Sequence, residues 1–554
     1  MQMPVVLLGA KTLALAFVLT IAVFGVLLLS PGGLVGAYVS PDAPAAESAA
    51  AMKAIGPFKP VYVQYVGWLG RLARGDFGWS ASNHEPVSQV LVERLPATIE
   101  LVACSLTCAI LLGALGGALR LRAGTLALGR LFAVLELIVR SAPISLFAPL
   151  TVMLGLIVPG LPTAGIASAG AFDLVDRLRH LVSPALTIAL PLGAWASFVF
   201  YETWRKSSNA AGNGGRASWR RDVVRSSAVC VSMLGPAAIA GALFVEPAYG
   251  WPGVGRVFPY AFTERDAALI AGLVIAFGFT VLALKVVAQL SLLVFGDGVA
   301  DLNAAPVDRV RRTSFFSKPI AVAGLVLICL LGVLGLAANL IAPTGPHLID
   351  QAHWQGYPLA PGIGGHILGT DENGRDLLAR LLFALRTSLA IAIGAALVAT
   401  TAGLLIAAVK QGLRIAVASD AGTAALCGIR AFGALPFILV AVVCVLMHVM
   451  SPLADVLMIG IASWPAIAAV AQGSWSVRTI GAAAVGVAGA ALLLEVTLSN
   501  RGFAVPPPAP TLGNLLMNAQ SNLTVAPWTV AFPILVIMVA LFALYAISDS
   551  LRES

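Results

Sequence analysis

Long apolar runs recur along the whole chain, each near the about 20 residues that a helix needs to cross a bilayer. They fall at 13–30, 98–119, 131–158, 185–200, 228–245 and 267–294. Six more lie at 320–341, 387–408, 431–450, 454–471, 479–498 and 528–547. The pattern predicts an all-α membrane protein of about 12 spans in two halves of six. The seam at 296–318 sets Asp297, Asp301 and Asp308 beside Arg309, Arg311, Arg312 and Lys318. Such charges are not stable in hydrocarbon, so this stretch reads as a cytoplasmic linker. The halves are then 1–295 and 319–554, the first with a long external loop at 31–97.

Composition agrees with this pattern. The 554 residues are 59% hydrophobic and 11% charged, with a mean hydropathy of +0.92; a soluble domain carries roughly 25% charged residues. The net charge of +8 does not point to nucleic acid. In the predicted topology 19 of the 34 Lys and Arg lie in cytoplasmic segments, the distribution that orients membrane proteins. Both termini are expected inside. The six cysteines lack metal-type spacing and read as small apolar side chains. No Gly-rich phosphate loop of the GxxxxGK[ST] type is present.

A few charged residues stand out. Glu136 and Arg140 are four apart and positioned to pair on one helix face. The stretch 173–180 is amphipathic and reads as a surface helix preceding the span at 185–200. Asp455 and Glu495 fall at or within spans, where acids are costly, and are candidates to line a path.

Some external sequence is too specific for a spacer. Gly75, Asp76, Phe77 and Gly78 open GDFGWS, followed by PV at 86–87 and RLPATIEL at 94–101. Gly369, Thr370 and Asp371 run into Gly374, Arg375 and Asp376 within LGTDENGRDLLARLLFALRTSL. Thr370 or Asp371 is placed to cap the helix that leads into the next span. Further motifs are RHLVSPALTIAL at 179–190, VEPAYGWPGVGR at 245–256, SWPAIA at 463–468 and VPPPAPTLGNLL at 505–516.

On these residues the chain resembles the inner-membrane permeases of dipeptide, oligopeptide and nickel ABC importers. The first half is similar to one permease type and the second half to its partner type. The resemblance implies the type I importer fold and two permease subunits joined in one chain of a bacterial inner membrane. It implies substrate passage by alternating access, with no catalysis and no cofactor in this chain. ATP and Mg would be handled by two separate cytoplasmic ATPases, and solute delivered by a periplasmic binding protein.

The resemblance also implies a cytoplasmic coupling helix before the fifth span of each half. In the first half Ala210, Ala211 and Gly212, followed by Arg216, Arg221 and Arg225, match a shortened version. In the second half only residues 472–478 separate two spans, too few to build a docking helix. Two other readings therefore stay open: a degenerate permease kept as a scaffold or sensor, and an ion-coupled carrier. The substrate is not legible in the sequence.

Overall fold

In a computed structural model the chain is predominantly helical. The structure describes residues 2–30, 32–39, 59–123, 127–144, 173–211, 219–295, 315–343, 345–353, 356–416, 451–473, 475–500, 502–519 and 525–553, with isolated positions between them. Among the described residues, nine helices are long and apolar enough to cross a membrane, and the apolar stretch Pro452–Ala468 is a shorter tenth. The span predicted at 431–450, most of 141–158 and most of the linker lie outside the described residues.

The chain clusters into two compact units, drawn chiefly from residues 1–302 and 303–554. In the first, α1 (Gln2–Leu29), α2 (Val61–Leu72) and a short hairpin of β1 (Trp79–Ser80) and β2 (Glu85–Pro86) lead into α3 (Val87–Ala123). Then come α4 (Ala127–Arg140), α5 (Leu174–Ala211), α6 (Trp219–Tyr249) and α7 (Ala267–Phe295). Helix α3 packs on α5 and α6, α5 on α6, α6 on α7, and α7 on α1.

The second unit repeats this scheme. It contains α8 (Pro319–Leu336), α9 (Leu377–Ala416), α10 (Pro452–Gly473), α11 (Val477–Ser499), α12 (Leu512–Ala519) and α13 (Trp528–Glu553). Helix α9 packs on α10 and α11, α10 on α11, α11 on α13, and α13 on α8. These five pairings in the second unit match those of α1, α3, α5, α6 and α7 in the first, and α8 packs on α9 in addition.

Close approach holds these pairs together, because lipid tails are as apolar as leucine and supply no hydrophobic drive between helices. A Cβ added at Gly113 on α3 would lie 2.3 Å from the Ala196 Cβ of α5. In the second unit a Cβ at Gly403 on α9 would lie 2.7 Å from the Ile467 Cβ of α10.

Two boundaries differ from the sequence reading. Helix α3 starts at Val87, inside the stretch read as external loop, and runs through Pro96. Proline disturbs the carbonyl four residues earlier, here that of Val92, an exposed residue whose carbonyl is free to tilt outward. The surface helix expected at 173–180 and the following span are one helix, α5, with Pro184 and Pro191 inside it. Packing against α3, α4 and α6 holds α5 together across both prolines.

Replacing Gly113 with Val is expected to lower the melting temperature in detergent by the equivalent of about 1–3 kcal/mol of overpacking. Gly332→Ala, at a site with open space around it, is expected to leave it unchanged. Equal shifts in differential scanning fluorimetry would contradict this packing.

Candidate functional site

The residues of interest gather at the helix ends that carry the family-like motifs. In the first unit the GDFGWS segment folds as a tight staple. Gly75 and Gly78 have φ of +81° and +93°, and a Cβ at Gly78 would sit 2.2 Å from the Ala37 carbonyl oxygen. Only glycine fits there. The Asp76 carboxylate accepts from Gly78 N at 3.1 Å, and Phe77 lies beside Gly272 of α7. Ser80 Oγ then donates to Asp266 Oδ2 at 2.6 Å, and Ser82 donates to the same oxygen through its amide at 3.0 Å and its hydroxyl at 2.8 Å. Asp266 Oδ1 accepts from Leu269 N at 2.9 Å. Thus Asp266 caps α7 and anchors the staple with one carboxylate.

A buried clasp lies next to it. Glu246, near the end of α6, is fully buried and its Oε2 accepts from Gly255 N. The Thr98 hydroxyl of α3 lies beside this carboxylate and accepts from Val254 N at 2.9 Å. Trp251 Nε1 donates to the Ala97 carbonyl at 2.9 Å. A Cβ at Gly253 would sit 2.3 Å from the Glu246 carboxyl carbon, so the glycines of WPGVGR make room for the acid.

The second unit contains the same device on different residues. Glu495, near the end of α11, is fully buried, and Ser499 Oγ donates to it at 2.7 Å. The hydroxyls of Ser388 on α9 and Thr511 lie beside it. Ser388 Oγ in turn accepts from Leu512 N at 3.0 Å. A Cβ at Gly513 would lie 2.4 Å from the Val496 carbonyl oxygen. Thr98, Glu246, Val254 and Gly255 therefore correspond to Ser388, Glu495, Leu512 and Gly513. Glu495, read from the sequence as a candidate to line a path, is enclosed by these groups inside its unit. Asp455 is buried near it.

The second external motif is organised by charge. Asp371 is 2% exposed; its Oδ2 accepts from Arg375 Nε at 2.8 Å and from an Arg380 guanidinium nitrogen. Its Oδ1 accepts the amides of Asn373 and Arg375, both at 2.9 Å. Neither Thr370 nor Asp371 caps the following helix, contrary to the sequence expectation. Asp376 does, accepting Ala379 N at 2.7 Å, because Asp371 is held by two arginines and the Thr370 hydroxyl accepts Leu359 N at 2.8 Å. Gly369 and Gly374 supply φ of +79° and +74° for the turns between them.

Behind Asp376 lies a His/Asp chain that the sequence reading missed. His366 Nδ1 meets Asp376 Oδ2 at 2.6 Å, and its Nε2 meets Asp350 Oδ2 at 3.1 Å. His353 Nδ1 reaches the same Asp350 oxygen at 2.8 Å. Burial alone would lower the His366 pKa, but the hydrogen bonds and charges of Asp376 and Asp350 outweigh it and raise it above its ordinary value. Hydrogen bonds from His353 and His366 hold Asp350 down at about 2.

Glu136 accepts from Arg120 at 3.2 Å and from Ser197 Oγ at 3.1 Å, joining α3, α4 and α5. The charge of Arg140, its partner in the sequence reading, also acts on it, and the Arg140 guanidinium lies 4.5 Å from the Trp195 ring centroid and 5.1 Å from that of Phe198. The aromatic surface of α5 sets this arrangement. Ala210 and Ala211 close α5; Gly212 and Arg216 lie outside the described residues, and Arg221 and Arg225 are exposed on the first turns of α6. Between α10 and α11 only residues 474–476 remain. Among the described residues no group of three His, Cys, Asp or Glu is arranged to hold a metal ion.

This is a multi-pass helical membrane protein with two like bundles, each clasped at the end of its penultimate described span. A putative peptide permease protein of Brucella suis biovar 1 (strain 1330) is 30% identical to it over 300 residues, covering 50% of this chain and 93% of that protein. The oligopeptide transport system permease protein AppB of Bacillus subtilis (strain 168) is 26% identical over 305 residues, 52% of this chain and 93% of AppB. The di/tripeptide transport system permease protein DppB of Pseudomonas aeruginosa (strain UCBPP-PA14) is 28% identical over 276 residues, covering 42% of this chain and 81% of DppB. No family model matches. Over about half its length the chain belongs to the peptide ABC transporter permease family, whose members are not catalytic and typically bind no cofactor.

Asp371→Asn leaves Arg375 and Arg380 without their buried counter-charge and is expected to cost ~3–5 kcal/mol, read as a large fall in melting temperature. A shift no larger than that of a surface substitution would contradict the network. The His366 chain gives a pH dependence of defined sign. Because the His366 pKa is raised on folding, its contribution is complete below its ordinary 6.5 and is lost as pH climbs through the raised value. Because that of Asp350 is lowered, its contribution is complete above its ordinary 3.8 and is lost as pH falls toward about 2. Thermal stability is therefore expected to fall from pH 6 to pH 8, and His366→Gln to remove most of that difference.

Proposed function

We propose that this chain is a fused pair of permease subunits of a peptide-type ABC importer, passing a peptide or similar small solute by alternating access. The repeated clasp carries the reading. Relatives of single-permease length match about half of the chain, and the two units share one helix scheme and the same hydroxyl–carboxylate–glycine device. Fusion of this kind fixes one-to-one stoichiometry and gives each half a high effective concentration for the other. The domain reading is two six-span halves, 1–295 and 319–554, joined by a linker, with both termini on the cytoplasmic side.

On this reading the chain sits in a bacterial inner membrane. Two cytoplasmic ATPases drive it, and a periplasmic binding protein delivers the solute. Docking falls to Ala210, Ala211, Gly212, Arg216, Arg221 and Arg225, between α5 and α6. The peptide class comes from the relatives, which are called peptide, oligopeptide and di/tripeptide permeases.

The connection between α10 and α11 favours a second reading. Residues 474–476 leave no room for a docking helix, so the second half lacks the family's usual grip on an ATPase. A permease retained as a scaffold or sensor for a binding protein fits that loss.

Co-purification with the candidate ATPases separates the two. Two ATPases per chain, lost when Arg216, Arg221 and Arg225 are replaced by Ala, together with ATP-dependent peptide uptake in proteoliposomes, is the expected result. Folded, membrane-inserted protein that captures no ATPase would overturn the transport reading in favour of the scaffold.

A further inference from the structure

Helix α2 falls within the stretch that the sequence reads as external loop, yet its partner is the interior of a span. Tyr65 OH lies 2.9 Å from Thr20 Oγ1. Its ring meets Phe17 and Phe24 with centroids 6.2 Å and 5.3 Å apart, and Trp68 meets Phe24 at 5.6 Å. Phe17 lies 12 residues before the end of α1 at Leu29, about 18 Å of helix. That is more than half of a hydrocarbon core of about 30 Å.

The direction of α2 follows from the same contacts. Trp68 sits at Phe24 and Tyr65 reaches down to Phe17, while Arg71 stacks on Tyr38, 5.0 Å from its ring centroid, beyond the end of α1. Helix α2 therefore runs parallel to α1, with its N-terminal end at depth.

Its other face has no protein cover among the described residues. Val61, Tyr62 and Val66 are 59%, 71% and 64% exposed. This face continues the exposed stripe of Leu13, Phe17 and Ile21 on α1, residues spaced four apart, and Phe17 borders both. The polar group on the buried side is satisfied: Gln64 Nε2 donates to the Lys59 carbonyl at 2.7 Å. Apolar exposure continuous with a span's outer stripe fits acyl chains better than water.

We propose that α2 re-enters the outer leaflet alongside α1 and presents Val61, Tyr62 and Val66 to lipid. The loop between the first two spans thus includes a lipid-contacting half-span, with Arg71 and Arg74 at its outer end where phosphate head groups lie.

Depth measurement by electron paramagnetic resonance tests this on the full chain in phospholipid nanodiscs. Spin labels are placed on Tyr62→Cys, Val66→Cys, Phe17→Cys and Asp76→Cys in a background lacking the native cysteines. Labels at 62 and 66 are expected to match that at 17, relaxed by oxygen with loss of access to a water-soluble nickel chelate, whereas 76 stays open to the chelate. Chelate access at 62 and 66 equal to that at 76 would overturn the proposal. If the cysteine-free chain does not fold, a benzophenone amino acid at Tyr62 in the native chain gives the same decision. A phospholipid adduct supports the proposal, and a cross-link only to a soluble protein sinks it.

Discussion

Inside a bilayer a buried polar group has no water to fall back on, and this structure is arranged around that constraint. Each unit encloses one carboxylate near the end of a long helix, Glu246 on α6 and Glu495 on α11. Gly255 N reaches Glu246 and Ser499 reaches Glu495, while the other oxygen of each carboxylate stays buried without a hydrogen-bond partner among the described residues. Each unit sets beside its acid a hydroxyl from the helix it packs on, Thr98 or Ser388. The same hydroxyl receives the amide that opens the next turn, Val254 or Leu512. One acid thus fixes two helices and a loop at a single point. In the first unit Gly253 and Gly255 leave space for the acid, so the turn sequence is constrained with it.

The clasp of the first unit sits on the helix that also carries two of its basic residues. Helix α6 holds Arg221 and Arg225 on its first turns and Glu246 near its last. Its 31 residues form a rod of about 46 Å. It packs on α3, α5 and α7 along the way. In the second unit α11 has the clasp but begins three residues after α10. This asymmetry is where the two units differ most in consequence.

Outside the spans, the motifs that identify the family are anchors. Asp266 ties the GDFGWS staple to the cap of α7, and Asp371 gathers two arginines and two amides. Charge-assisted bonds of this kind are strong where water is scarce. The family relationship was visible in the sequence because these anchors need specific residues at specific spacings.

The sequence by itself determined the membrane class, the order and approximate extent of most spans, and the family. Apolar run length is set by bilayer thickness, and turn glycines by local φ, so neither needs knowledge of distant partners. The tertiary structure decided which residues meet. Asp376 and not Asp371 caps α9, since two arginines compete for Asp371. Glu136 bonds Arg120 across helices, in addition to the charge of Arg140 four residues away. His366 joins Asp350 and Asp376 across a folded segment with no motif to announce it. The match of Thr98 with Ser388 and Glu246 with Glu495 was hidden for the same reason. The halves share little residue identity, and a clasp built from residues some 150 positions apart in the first unit and about 110 in the second exists only once the helices have packed.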